Sequence, residues 1–273
     1  MNKIQQVVSA HIEKSMERVK MPFIKMALLG VLSGMSIAGG AAASNVVMHG
    51  ISNVGLARLA GGAVFPVGLM IIVFLGGELF TGDCLMILGV LDRKIRSAAM
   101  LRVLALVYVA NLVGSVLFAL LVSTSGQYDY SNSLLGAYTV KVALTKAGLS
   151  SGSGFVSGIL CNIFVCAAVM MTGAAKSAAG KLWSAFFPIM AFVVSGYEHC
   201  VANMYYIPAG IFALGNGNYV QAAIEQYGVT TQQLAVLNWQ NFVFRNLLPV
   251  TIGNVVGGVL FVGALLYFAH RER

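Results

Sequence analysis

Ionisable residues are rare in the long apolar stretches of this sequence, and those that occur fall into two short clusters. Glu78 and Asp83 belong to the first cluster and Glu198 and His199 to the second, and glycines precede each cluster. An ionisable side chain at membrane depth costs several kcal/mol unless it is paired or hydrated, so it usually marks a pathway. Alternatively, the two glutamates could brace the backbone and His199 could be an ordinary buried histidine.

The glycines predict that the helix carrying each cluster is broken, because Gly-interrupted segments in both halves of a chain point to a transport site. The N-terminus of a half-helix offers N–H donors and partial positive charge to an anion. Thr81 would add a hydroxyl group, and His199 could hold or lend a proton near neutral pH. Glu198 is expected to hydrogen-bond the backbone or Asn162. Lys146 could draw anions toward a pore mouth, or could be a solvated loop residue.

The composition indicates that most of this chain is surrounded by lipid. It has 273 residues, of which 58% are hydrophobic and 10% are charged, and its mean hydropathy is +0.83. Soluble domains carry roughly 25% charged residues, so this chain cannot cover a water-facing surface. A spanning helix needs about 20 mostly apolar residues. We therefore predict an all-α membrane protein with six crossings, near 22–48, 63–91, 97–123, 153–173, 182–214 and 241–269.

The first 20 residues differ from the rest, because polar and apolar residues alternate there at helical spacing. The apolar members are Ile4, Val8, Ile12, Met16 and Val19. This pattern predicts an amphipathic helix on the cytoplasmic membrane surface, preceding a channel domain over 21–273. The helix could be a simple anchor or a lid over a pore mouth.

The distribution of basic residues predicts the orientation. Of the 17 lysines and arginines, 13 fall on the side of the two termini if the chain crosses six times. The positive-inside rule then places both termini in the cytoplasm, as expected for a multi-pass protein of the inner (cytoplasmic) membrane. The same distribution accounts for the basic charge without nucleic acid as a partner.

An internal repeat predicts the plan of the bundle. The third segment contains Asn111-Leu-Val-Gly-Ser-Val-Leu-Phe118 and the sixth contains Asn254-Val-Val-Gly-Gly-Val-Leu-Phe261. Phe65-Pro66 precedes Glu78 in the second segment, as Phe187-Pro188 precedes Glu198 in the fifth. We predict two three-helix repeats, about 21–123 and 153–270. Because each repeat crosses three times, the second is inverted, and sites then lie at the repeat interface.

Other classes of function find less support in the sequence. A membrane redox subunit would want haem-ligating histidines facing each other on different spans, and only His199 is central. No C-x-x-C pair occurs among the four cysteines, so we expect no metal and no cofactor. A water or glycerol channel would want paired Asn-Pro-Ala turns, and this tripeptide is absent. A scaffold without a pore would leave the repeated polar breaks without a purpose.

Four segments resemble the formate/nitrite/hydrosulfide channel family over about residues 20–268. They are Phe65-Pro-Val-Gly-Leu, Gly77-Glu-Leu-Phe-Thr-Gly82, Cys161-Asn162 and Gly196-Tyr-Glu-His-Cys-Val-Ala-Asn-Met204. The resemblance implies a homopentamer of aquaporin-like protomers, each with its own pore. One departure is Asp83, which adds a negative charge near an anion path.

The resemblance also implies roles for particular residues. His199 is similar to the central histidine of the family and Thr81 to its loop threonine, with Lys146, Asn162 and Glu198 as an electrostatic group behind the histidine. The residues that resemble apolar constrictions are Leu69, Val165 and Phe192 on the outer side, and Leu79 and Phe80 on the inner side. The implied function is transport of a small monovalent weak-acid anion with protons: formate first, then hydrosulfide or nitrite.

Overall fold

The computed structural model describes residues 1–270, which form helices and no strand. Six of these helices are long and apolar enough to cross a membrane: Phe23–Met48, Val54–Leu75, Ser97–Thr124, Ser151–Ala174, Ala178–Ser195 and Trp239–His270. The all-α fold with six crossings predicted from composition is therefore confirmed. Arg271 and Arg273, which entered the charge argument, lie outside the described residues.

The helices of the first half are α1 (Ile4–Lys20), α2 (Phe23–Met48), α3 (Val54–Val64), α4 (Val67–Leu75), α5 (Phe80–Asp83), α6 (Ile87–Leu91) and α7 (Ser97–Thr124). Those of the second half are α8 (Leu134–Ala147), α9 (Ser151–Ala174), α10 (Ala178–Ser195), α11 (Cys200–Ala213), α12 (Gly217–Tyr227), α13 (Thr231–Leu234), α14 (Trp239–Asn241), α15 (Leu248–Val256) and α16 (Leu265–His270). Helix α8 lies in the connection between α7 and α9, and α12 and α13 lie in the connection between α11 and α14. In the sequence these two connections are recognisable only as longer, more polar stretches.

One predicted boundary is wrong by several residues. The second crossing was expected to begin near residue 63, but its helix begins at Val54. Arg58 and several glycines lower the hydropathy of this stretch, which hid its start from a composition argument. Its apolar side chains, such as Leu56 and Leu59, are nevertheless exposed on the outside of the bundle, where a lipid-facing surface is expected.

The second and fifth crossings are broken, as predicted. Helix α4 ends at Gly76 (φ 68°) and α10 ends at Gly196 (φ 75°), both in the left-handed conformation. This conformation favours glycine, because a Cβ atom would strain it. A half-helix starts at Phe80 after the first break and another starts at Cys200 after the second. The Phe-Pro pairs are not equivalent, since Phe65-Pro66 separates α3 from α4 whereas Pro188 lies inside α10.

Glycines join the same pair of helices in each repeat. In the first repeat a Cβ at Gly34 of α2 would overlap the backbone carbonyl of Asn111 in α7. In the second repeat a Cβ at Gly253 of α15 would overlap the backbone carbonyl of Phe155 in α9. Small residues allow such backbone-to-backbone packing, which is typical of helices in lipid. The equivalent packing supports the inverted repeat.

Helix α1 packs against the end of the bundle instead of resting only on a membrane surface. Its buried residues are Val7, Val8, His11 and Ser15, a face turned by about one residue from the predicted apolar stripe. The backbone N–H of Asn2 donates to Ala174 O (2.9 Å), and Arg102 donates to the carbonyl of Val19 (2.9 Å). These contacts fix α1 beside the first break.

Candidate functional site

The two helix breaks meet at the centre of the bundle. Thr81, in the first turn after one break, places its Oγ1 2.8 Å from His199 Nε2 at the other. Both residues are almost completely buried, with exposed fractions of 0% and 2%. The two half-helices therefore point their N-termini at a common place, as the repeat predicts.

The hydrogen bonds of His199 define which nitrogen carries the proton. His199 is the N-cap residue of α11, and its Nδ1 accepts a hydrogen bond from the backbone N–H of Ala202 (3.1 Å). An N–H group can only donate, so Nδ1 must offer a lone pair. The neutral ring then carries its proton on Nε2, which donates to Thr81 Oγ1. The Thr81 hydroxyl proton is left to point elsewhere.

Asn111 of α7 replaces the hydrogen bonds that are lost at the first break. Its Nδ2 donates to the carbonyl oxygens of Gly30 (2.8 Å) and Glu78 (3.0 Å). Its Oδ1 accepts from the backbone N–H of Phe80 (3.0 Å), the first residue of the half-helix. One fully buried amide thus pairs backbone groups on both sides of the gap.

Asn254, the repeat partner of Asn111, does the same at the second break. Its Nδ2 donates to the carbonyl oxygens of Gly158 (2.8 Å) and Glu198 (3.0 Å), and its Oδ1 accepts from the backbone N–H of Cys200 (2.9 Å). The sequence shows both asparagines as parts of the repeat but does not reveal this role. The recurrence of a buried amide at equivalent positions is the signal that could have revealed it.

The Glu198 carboxylate pairs with Lys146, and not with the backbone or Asn162 as expected. Lys146 Nζ lies 2.9 Å from Glu198 Oε1, and Asn203 Nδ2 donates to Oε2 (2.6 Å). The ion pair is largely shielded, with 16% and 7% of the two side chains exposed. Lys146 stands at the end of α8, so this connecting helix carries its charge into the site.

Asn162 supports Thr81 instead. Its Nδ2 donates to the carbonyl oxygens of Thr81 (3.2 Å) and Asn254 (2.6 Å). Cys166 Sγ also donates to the Thr81 carbonyl, at 3.4 Å. Helix α9 therefore positions the loop that carries the threonine.

An ion-pair cluster at the first break was missed from the sequence. Arg18 of α1 lies 2.6 Å from Glu78 and 3.0 Å from Asp83. The extra negative charge of Asp83 is thus partly balanced by a residue 65 positions away. No local spacing signals this contact, because it depends on how α1 docks.

Two cavities approach the site from opposite sides. The lysine-side cavity, about 740 Å³, is lined by Lys146, Glu198, His199 and Phe192 among others. The α1-side cavity, about 540 Å³, is lined by Arg18, Glu78, Leu69 and Leu79 among others. His199 and Leu79 hold equivalent positions in the two repeats, so one break presents a polar ring and the other an apolar side chain.

Large apolar side chains lie close to both breaks. Phe65 and Phe192 pack edge to face at 5.6 Å, and the Phe192 ring lies 5.9 Å from that of His199. Leu69 lines the α1-side cavity, although the resemblance placed it with Phe192 in the outer constriction. Val165, the third residue of that constriction, is buried. Phe80 packs edge to face on Tyr108 (4.9 Å). The assignment of these residues to two constrictions stays a prediction.

The profile of the family described as Formate/nitrite transporter matches residues 5–268 of this chain. The chain belongs to the formate/nitrite transporter family. This family consists of channels and transporters rather than enzymes.

Individual members of the formate/nitrite transporter family are similar over most of the chain. A probable formate transporter from Methanothermobacter thermautotrophicus is 39% identical, with 93% of this chain and 91% of that protein covered. The formate channel FocA of Haemophilus influenzae is 38% identical, with 77% and 73% covered. Among solved structures, a pentameric formate channel with formate bound has a TM-score of 0.79 at 33% identity, with 92% of this chain and 98% of that chain covered. An FNT family ion channel has a TM-score of 0.81 at 26% identity, with 97% and 98% covered.

Acidification should loosen α1. Burial lowers the pKa of His11 to about 3, and the charges of Lys14 and Arg18 act in the same direction. Once α1 is released, the pKa of this ring returns to about 6.5, so the released helix binds more protons at pH 5. Docking therefore loses up to about 1.4 kcal/mol per pH unit below about 6.5.

Hydrogen exchange of the α1 amides, corrected for intrinsic rates, measures this effect. We expect lower protection at pH 5 than at pH 7 in the wild type and a smaller difference in His11→Gln. Equal protection of the wild type at both pH values would contradict the prediction.

Proposed function

We propose that this chain conducts a small monovalent weak-acid anion across the membrane together with a proton, with formate as the first substrate and hydrosulfide or nitrite as alternatives. The observation that carries the proposal is the buried Thr81–His199 contact at the meeting point of the two breaks, between two cavities. Membership of a family whose relatives include named formate channels supports the choice of formate.

The surroundings of the site favour passage of the neutral acid. Apolar surface lies on both sides of His199, from Phe65 and Phe192 in one cavity and from Leu69 and Leu79 in the other. Burying an unpaired charge there is costly. The protonated acid has no charge to desolvate. In the proposed sequence of events, the anion enters the lysine-side cavity, whose lining carries more positive than negative charge. Lys146 and the site's donors hold it, it acquires a proton, and the neutral acid crosses.

The tautomer that these hydrogen bonds require limits what His199 can do. The neutral ring cannot release its Nε2 proton without becoming an imidazolate, so in this state it acts as a hydrogen-bond donor through Thr81. To act as an acid it must first gain a proton on Nδ1, and this proton would displace the N–H of Ala202 that now caps α11. We therefore assign His199 and Thr81 to holding the anion, while cavity water delivers the proton.

Substitution of His199 by Asn should test this role without breaking the helix cap, because Asn is itself a favoured N-cap residue. We expect an intact assembly and formate uptake at least about tenfold slower, since a hydrogen bond to an anion contributes on the order of 1.5–3 kcal/mol. His270→Asn, at the far end of α16, is the matched control.

The measurement is initial uptake into liposomes between pH 5 and pH 8, with formate, nitrite and hydrosulfide compared. A variant with the rate and pH profile of the wild type would show that His199 has no part in transport. If the wild type takes up nitrite or hydrosulfide faster than formate, that anion replaces formate as the proposed substrate.

We propose a homopentamer in which each protomer has its own pore, since a pentameric formate channel has the same fold. Large apolar side chains on the outside of the bundle, such as Phe74, Trp183 and Phe187, suit either lipid or a neighbouring protomer. Native mass spectrometry should give five times 28.8 kDa. Any other protein mass would contradict the proposal.

We propose that the protein lies in the inner (cytoplasmic) membrane with both termini in the cytoplasm, as the distribution of basic residues predicts. The four native cysteines are buried, so a cysteine introduced at Asn2 can be labelled over a low background. In intact cells we expect an impermeant maleimide to react only after the membrane is permeabilised. Labelling without permeabilisation would place the N-terminus outside the cytoplasm and contradict the proposed orientation.

A further inference from the structure

The lysine-side cavity carries more positive charge than its ion pair uses. Its charged lining residues are Arg58, Lys141, Lys146 and Glu198. Lys146 and Glu198 neutralise each other at 2.9 Å. Arg58 and Lys141 form no salt bridge with the carboxylates of the described residues, so they give this cavity an excess of two positive charges.

Lys141 is held in place by aromatic rings. Its Nζ lies 4.4 Å from the centre of the Tyr227 ring and 5.9 Å from that of Tyr138, and the two rings are 6.1 Å apart. A cation over a ring face is attracted by the ring quadrupole. This attraction positions the ammonium group and leaves N–H donors free, because the ring faces accept no conventional hydrogen bond.

Arg58 lies across the second break. Its Nη1 donates to the carbonyl of Val194 (3.4 Å), and a Cβ at position 196 would overlap the guanidinium group. The absence of a side chain at Gly196 therefore lets Arg58 reach the cavity beside the end of α10. A guanidinium group has five N–H donors, so most of them remain for another acceptor.

Tyr138 lines the cavity together with both cations, and its ring centre is 5.9 Å from Lys141 Nζ. Burial raises the pKa of Tyr138 to about 12, Tyr227 adds to this shift, and the nearby Arg58 opposes it. Burial also raises the pKa of Tyr227. Both tyrosines thus keep their phenol protons at physiological pH and can donate hydrogen bonds. Cations and phenol donors around one space form a set that suits an anion and that repels another cation.

We propose that Arg58, Lys141 and the hydroxyl group of Tyr138 form a second binding site, for a small monovalent carboxylate, in the lysine-side cavity ahead of Lys146. This inference rests on the proposed function. An anion drawn into the cavity by the two unpaired charges binds here first, and then moves to the donors at Thr81 and His199. The site concentrates substrate at low external concentration, because a charged cavity with low-dielectric walls focuses the field.

The kinetic test uses Arg58→Gln, Lys141→Gln and the double variant. We expect the KM for formate uptake to rise about threefold to tenfold in each single variant, and the maximal rate to fall much less. The KM of the wild type should increase with salt, whereas that of the double variant should be nearly independent of salt. Arg58→Lys keeps the positive charge, so its KM should depend on salt nearly as strongly as that of the wild type.

Arg245→Gln is the matched control. It removes one positive charge near the start of the sixth crossing, and Arg245 does not line this cavity. Its KM should equal that of the wild type. Equal increases in KM for Arg245→Gln and Arg58→Gln would overturn the proposal, because the overall charge of the protein would then explain the increase without a binding site.

A second measurement does not depend on transport. Crystals soaked in bromide should show anomalous density beside Arg58 and Lys141 in the wild type and none in the double variant. Bromide at the site in a wild type that moves no formate would support the site and contradict the proposed function. Formate transport with unchanged KM in the double variant, and no bromide in the wild type, would overturn the site alone.

Discussion

The constraint on which this structure depends is the need to pair backbone groups where two helices are broken inside a membrane. Lipid supplies no hydrogen-bond partners, so every free N–H or C=O group must find one in the protein or in a cavity. Asn111 and Asn254 supply these partners from outside the broken helices. Once the breaks are stable, Thr81 and His199 can be held together at the centre, and the ion pairs of Glu78 and Glu198 follow at the edges.

Much of this plan can be predicted from the sequence, because periodicity and composition record which solvent each residue meets. The glycines before Glu78 and Glu198 indicate both breaks, and the repeated Asn-containing segment indicates the inversion. The start of the second crossing was missed because Arg58 lowers the hydropathy of its first turns. A long arginine side chain can nevertheless reach polar groups while the helix that carries it faces lipid.

Long-range partners could not be predicted in the same way. Glu198 pairs with Lys146 only because α8 is placed beside the second break. Arg18 reaches Asp83 only because α1 docks beneath the first break. Such contacts depend on how whole helices are placed, and neither spacing nor residue type encodes this directly.

The convergence of two half-helix N-termini has a consequence for ions of the opposite sign. Each N-terminus carries partial positive charge, and the inverted repeat aims both at the same buried place. Sodium or potassium would meet this repulsion from whichever side it entered, in addition to the loss of its hydration shell. A membrane containing many copies of this protein is therefore expected to keep its alkali-metal gradients.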